Sequence, residues 1–242
     1  MMKGARVAVG LAVGALYVAG AALLRRRGAS VGLHRWLCVV LRVRVRRFGT
    51  PGPGRRLIVA NHVSWLDVLV LGAMEPMAFL AKREVGSDWR SRWLVDFQGA
   101  VYVDRERKRC IPAVNADMAA RMAAGGPVAL FAEGTTSDGT RILPLKSSHF
   151  EAARAVGAWV QPVYLDYRLV AGLPATRAER ADVAWYGDSA FLPSLRWVLA
   201  CGGVACDVHY GEPFAPDADR KTLARSAQAR ITALKGRART TA

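Results

Sequence analysis

Alternation of strand-like and helix-like segments along 242 residues predicts an α/β fold: a mainly parallel or mixed sheet flanked by helices, with an N-terminal membrane-associated helical anchor. Three observations lead there. Short apolar runs such as "RLIVAN" (56–61) and "PVALFA" (127–132) lack polar alternation and read as strands buried on both faces. Between such runs, apolar residues recur at helical spacing. Finally, "VAVGLAVGALYVAGAALL" (7–24) carries no charge; as a helix it would rise about 27 Å, close to the hydrocarbon thickness of a bilayer.

Three readings fit residues 7–24: a membrane-inserted or re-entrant helix, a cleaved signal peptide ending near Ala19-Gly20-Ala21, or a buried core helix. Arg25-Arg26-Arg27 follows directly. Cations flanking a span favour the cytoplasmic side, which places the downstream domain there and favours an anchor over secretion. "LHRWLCVVL" (33–41) is a second apolar patch with Trp36, a residue that favours the headgroup level. The expected organisation is anchor helices over 1–40 and a catalytic domain over 41–242.

"LRVRVRRF" (41–48) alternates with period two and predicts a half-exposed strand, followed by the turn "TPGPG" (50–54) and the buried strand 56–61. A helix begins near Ser64, three residues before Asp67, a capping-box-like spacing. "MAFLAK" (77–82) is strand-like, "SDWRSRWLVDF" (87–97) has helical spacing, and "AVYVDR" (100–105) is a strand. A helix over 109–124 ends at Gly125-Gly126. Strand 127–132, helix 147–157 and strand 158–167 follow. Then come strand-like "DVAWYG" (182–187), helix 191–200, strand 203–211 and a polar basic helix over about 218–237.

The formal net charge is +16, and its distribution is uneven. No acid precedes Asp67, while twelve Lys and Arg residues do. A localised cationic block implies an anionic partner. It is interleaved with apolar residues and follows a span-length segment, and no nucleic-acid-binding motif is recognisable. A membrane surface of anionic lipid is therefore expected, with docking of an acidic carrier protein as an additional role, and no nucleic acid. Cys38, Cys110, Cys201 and Cys206 form no metal-ligand spacing and no disulfide framework. No metal or other cofactor is expected.

His62 and Asp67 frame "NHVSWLD" (61–67). An imidazole beside a carboxylate is a general base whose tautomer the carboxylate fixes. Within one helix this spacing would not align them; a histidine on the preceding loop and an aspartate on the first turn would. Ser64 lies in no G-x-S-x-G elbow. "FAEGTTSDGTR" (131–141) offers backbone N–H groups and hydroxyls at the end of a strand, as anion sites require. Arg105 closes another strand and could grip a phosphate.

In order, N-H-x4-D (61–67), an arginine closing a strand (105), E-G-T (133–135) and "VQPV" (160–163) resemble the four-motif series of the glycerolipid acyltransferases of the lysophosphatidic acid acyltransferase type, over about residues 50–165. The resemblance implies a glycerol-3-phosphate acyltransferase-like fold at the cell membrane, with the catalytic domain on the cytoplasmic side. It implies transfer of a fatty acyl group from an acyl carrier protein or coenzyme A thioester to the free hydroxyl of a lysolipid. The first acceptor implied is 1-acyl-sn-glycerol-3-phosphate, giving phosphatidic acid. His62 would deprotonate the hydroxyl, Asp67 would hold His62, and Asn61 and Ser64 belong to the same motif. Lys82 would stabilise the oxyanion. Arg105, Glu133, Gly134 and Thr135 would bind the acceptor's polar head, and Pro162 would shape the neighbouring strand. One departure stands out: where the family usually carries an arginine after E-G-T, this chain has Thr136. Together with "VAWYGD" (183–188), that resembles a bacterial subgroup acting on lyso-ornithine lipids, whose acceptor has no phosphate. A non-catalytic lipid-binding protein and a lipid or thioester hydrolase are the alternatives of other classes.

Overall fold

The computed structural model describes residues 29–82, 101–103, 110–187 and 190–240. The span-like segment 7–24, the helix expected over 87–97 and Arg105 lie outside them. The described elements run α1 (Ala29–Val40), β1 (Val43–Phe48), β2 (Arg56–Ala60), α2 (Leu66–Gly72), β3 (Ala78–Lys82), β4 (Val101–Val103), α3 (Ile111–Ala123), β5 (Val128–Leu130), α4 (Phe150–Ala155), β6 (Trp159–Val170), β7 (Leu173–Pro174), α5 (Arg177–Val183), α6 (Phe191–Ala200), β8 (Val204–Tyr210) and α7 (Arg220–Thr240).

The sheet has the order β1-β8-β6-β2-β5-β3-β4, with β7 paired to β6 off that path. β6, β2, β5, β3 and β4 are mutually parallel; β8 runs antiparallel to β6 and parallel to β1. The sheet is thus mixed, with a parallel half and a reversed pair at one edge. Both faces of the central strands are covered. One layer joins the sheet to α1, α2 and α6 through Ile58, Leu66, Val70, Leu165 and Val198. The other joins it to α3, α4 and α7 through Leu57, Val59, Met118, Phe150 and Ile231. Leu57 and Ile58 are adjacent and both fully buried, one in each layer. This double burial is why β2 carries an unbroken apolar run. In α3 the buried residues Val114, Met118 and Met122 recur every fourth position. In α7, Leu223, Ala227, Ile231, Leu234 and Ala238 keep the same helical stripe.

α1 is packed into the domain. Leu33 and Cys38 are buried, the His34 ring lies against Gly72 of α2, and Arg35 Nε donates to the Ala73 carbonyl at 2.9 Å. A Cβ at Gly72 would fall 2.6 Å from that ring, so glycine permits the close approach of α1 to α2. Among the described residues no helix is long and apolar enough to cross a membrane. One expected strand is corrected: Asp182 and Val183 end α5, and Ala184 to Tyr186 join no ladder. The helix is specified by a capping box at Thr176 and Glu179, whose side chains and backbone amides satisfy each other.

Just past β2, Asn61 takes over the ladder with its side chain. Its Nδ2 donates to the Leu165 carbonyl at 3.1 Å and its Oδ1 accepts the Leu165 N–H at 2.8 Å. The chain leaves the sheet there while remaining tied to β6. Asn61→Ala leaves both Leu165 groups unpaired in a buried setting. It should lower unfolding stability by about 1–3 kcal/mol, read as a shift in the urea midpoint at unchanged m-value.

Candidate active site

β2, β5 and β3 are parallel, so their carboxyl ends lie at one end of the sheet, and β2 and β5 are neighbours. That end of an open α/β sheet is where a crevice forms. His62 stands two residues beyond β2, and Glu133 three residues beyond β5. Lys82 is the last residue of β3, so the backbone brings it to the same end of the sheet.

His62 lies on the loop and Asp67 on the first turn of α2. The His62 Nδ1 is 2.8 Å from Asp67 Oδ2. The same oxygen accepts the backbone N–H of Val63 at 2.7 Å and of Ser64 at 2.9 Å. The opposite oxygen, Oδ1, accepts the Tyr167 hydroxyl at 2.6 Å. Asp67 is fully buried, and this set of donors holds its negative charge there. The capping-box-like spacing is therefore realised by the carboxylate half alone, since Asp67 reaches back to amides before the helix. Ser64 is fully buried, and its hydroxyl accepts from Leu66 N–H at 3.4 Å.

With amide donors crowding Oδ2, His62 Nδ1 must carry the proton it shares with Asp67. The other ring nitrogen, Nε2, is left with its lone pair. The ring is stacked on Phe131, centroids 4.0 Å apart and planes 11° apart, which fixes its rotation. Its side chain keeps 15% exposure, against 0% for Asp67. The site thus presents a nitrogen base with a buried, oriented carboxylate behind it.

Glu133 joins the two loops. One carboxylate oxygen accepts the His62 N–H at 2.9 Å and the other the Leu143 N–H at 3.0 Å. Burial pushes the Glu133 carboxyl up, and the two amide donors pull it part of the way back. The His62 carbonyl in turn accepts the Ser137 N–H at 2.9 Å. Gly134 adopts φ +73°, a left-handed conformation that turns the chain sharply after Glu133. Thr135 is exposed at the tip. Pro162 lies in β6 opposite Val59, and its carbonyl accepts the Gly211 N–H at 2.9 Å.

The structure therefore brings His62, Asp67 and Glu133 together at the carboxyl ends of β2 and β5, with Gly134 and Thr135 next in the chain after Glu133. Asn61 and Ser64 buttress them from beneath, and Lys82 arrives by its backbone. Tyr167 and Phe131 were not anticipated. Tyr167 lies 100 residues from Asp67, and no local pattern marks it. Phe131 sits within the quoted "FAEGT" segment, and an aromatic beside a motif loop was the available signal. Among the described residues no three His, Cys, Asp or Glu side chains form a potential metal site. A cavity of about 420 Å³ lies elsewhere, between α1, β1 and the start of β8, lined by Cys38, Arg42, Leu169 and Gly203.

Comparisons with known proteins bear on this geometry. The family model described as Acyltransferase matches residues 42–166. A lyso-ornithine lipid O-acyltransferase of Brucella abortus is 38% identical over 212 residues, covering 83% of this chain and 79% of that protein. Its namesake in Rhizobium meliloti is 39% identical over 224 residues, covering 86% and 77%. A 1-acyl-sn-glycerol-3-phosphate acyltransferase of Neisseria meningitidis is 32% identical over 174 residues, covering 71% and 66%. The crystal structure of the 1-acyl-sn-glycerophosphate (LPA) acyltransferase PlsC from Thermotoga maritima shares the fold, with TM-score 0.60 over 97% of this chain and 95% of that one, at 16% identity.

The Tyr167 hydroxyl is the donor that Asp67 Oδ1 accepts from. Tyr167→Phe leaves that buried oxygen unpaired and should lower stability by about 1–3 kcal/mol. The loss is read as a lower urea midpoint at unchanged m-value, and an unchanged midpoint refutes the role given to this hydroxyl.

Proposed function

Since the chain belongs to the acyltransferase family, we propose that it transfers a fatty acyl group from a thioester to the free hydroxyl of a lysolipid, with His62 as general base oriented by Asp67. The observation that carries this reading is the 2.8 Å contact between His62 Nδ1 and a fully buried Asp67 carboxylate. His62 Nε2 takes the proton as the acceptor's oxygen attacks the thioester carbonyl carbon. A tetrahedral oxyanion forms; Lys82 is the cation assigned to it, on the ground that β3 delivers it to the same end of the sheet. Collapse breaks the C–S bond, and the imidazolium returns its proton to the departing thiolate. Asp67 stays ionised and stabilises the imidazolium throughout.

The route is direct, with no acyl-enzyme. Ser64 is sealed and bonded at the start of α2. Burial raises the Cys38 thiol to about 12 and the Cys206 thiol well above its ordinary value, so neither is primed as a nucleophile. The donor is a thioester of acyl carrier protein or coenzyme A.

For the acceptor, a lyso-ornithine lipid is favoured over lysophosphatidic acid. Two relatives named for the former are 38% and 39% identical, against 32% for one named for the latter. Thr136 stands where a phosphate-gripping arginine would be. Because the acceptor resides in a bilayer, the chain is assigned to the cell membrane, anchored through the apolar segment 7–24, with the domain that α1 packs into on the cytoplasmic side. The run Arg25-Arg26-Arg27 after the apolar segment supports that orientation.

Purified protein supplied with acyl-carrier-protein thioester and each lysolipid in turn tests both parts. His62→Ala should lower transfer by about 10²–10⁴-fold, the usual worth of a general base, while circular dichroism stays that of wild type. A folded His62→Ala variant with full activity refutes the assigned base. Preference for lysophosphatidic acid refutes the assigned acceptor and leaves the mechanism standing.

A further inference from the structure

We infer that Lys146 is the cation that binds the oxyanion of the acceptor's headgroup, in the position an arginine after E-G-T would otherwise serve. The inference rests on the lysolipid reading above. Lys146 follows the Glu133–Gly134–Thr135 loop by eleven residues in sequence, yet folds back onto it. Its backbone N–H donates to the Ala132 carbonyl at 2.8 Å, while Leu143 N–H donates to Glu133. The segment 143–146 is therefore held against the same turn that supports His62.

The Lys146 side chain ends over the turn. A Cβ built on Gly134 would lie 2.5 Å from the ammonium nitrogen, and glycine is what lets the amine sit there. Neighbouring charges do not consume it. Both oxygens of Glu133 are engaged by the amides of His62 and Leu143. The other lysine at this loop, Lys235, is spent on structure: its amine donates to the carbonyls of Gly139 and Thr140 at 2.7 and 2.6 Å. Among the described residues Lys146 has no acidic partner, and it is exposed.

The chemistry of the cation indicates the class of ligand. A guanidinium presents a rigid fork that matches a phosphate bidentately, whereas an ammonium is a compact point charge with rotatable donors. A single ammonium over the turn at Gly134 suits a singly charged carboxylate such as that of an amino-acid headgroup. It holds a phosphate with less discrimination.

Binding of lyso-ornithine lipid and of lysophosphatidic acid to the full-length protein in detergent micelles is measured by tryptophan fluorescence, together with KM for each acceptor and for the acyl-carrier-protein thioester. Lys146→Met should weaken binding of lyso-ornithine lipid and raise its KM at least tenfold, with the donor KM within twofold of wild type. Lys146→Arg keeps the charge and should recover most of the loss. Unchanged affinity for both acceptors in Lys146→Met, or a loss that Lys146→Arg does not recover, overturns the assignment. The binding arm decides this even if no transfer occurs, an outcome that would sink the acyl-transfer reading instead.

Discussion

A buried carboxylate with four donors organises the carboxyl end of this sheet. Asp67 has no exposure, so its charge is tolerable only because the Val63 and Ser64 amides, the His62 ring and the Tyr167 hydroxyl surround it. These donors serve three structural commitments. The amides fix the loop after β2, the ring fixes the base, and the hydroxyl ties α2 to β6. Removing the carboxylate would disconnect all three at once. The histidine's orientation is thus a property of the domain core rather than of an exposed side-chain pair.

A second buried acid, Glu133, performs a parallel task for the opposite wall. It bonds the His62 backbone with one oxygen and the Leu143 backbone with the other, so the loops after β2 and β5 are held at one separation. The adjacency of β2 and β5 makes this possible: their ladder from Leu57–Val128 to Val59–Leu130 delivers both chains to the same edge. Asn61 adds a tie to β6. His62 therefore stands on a frame assembled from three neighbouring strands.

The basic block reads differently once folded. Arg46 pairs with Asp207 through two nitrogens, and Arg168 adds a third contact to the same carboxylate. Arg56, nearly buried, meets Glu75 and Gln161 at the amino end of β2. These cations neutralise acids that lie far along the chain, so part of the local excess is structural. Arg42, Arg44 and Arg47 are exposed.

Much of the architecture was legible beforehand because it depends on local pattern. Uninterrupted apolar runs follow from strands covered on both faces, and the four-residue stripes of α3 and α7 follow from one-sided packing. The need for His62 on a loop with Asp67 on the following turn could likewise be read from spacing, and the order of the motifs from the resemblance to the acyltransferase family. The amphipathic look of 182–187 misled because an extended segment beside a core resembles a strand whether or not a partner exists; the capping box at Thr176 and Glu179 was the overlooked local sign. Tyr167, the stacking of Phe131 beneath His62, the division of labour between Lys146 and Lys235, and the reversed β1–β8 edge were decided only by tertiary structure. Each joins residues that the chain keeps far apart or whose directions a one-dimensional pattern does not encode. Periodicity carries information about which face is buried, but it holds none about which distant group meets that face.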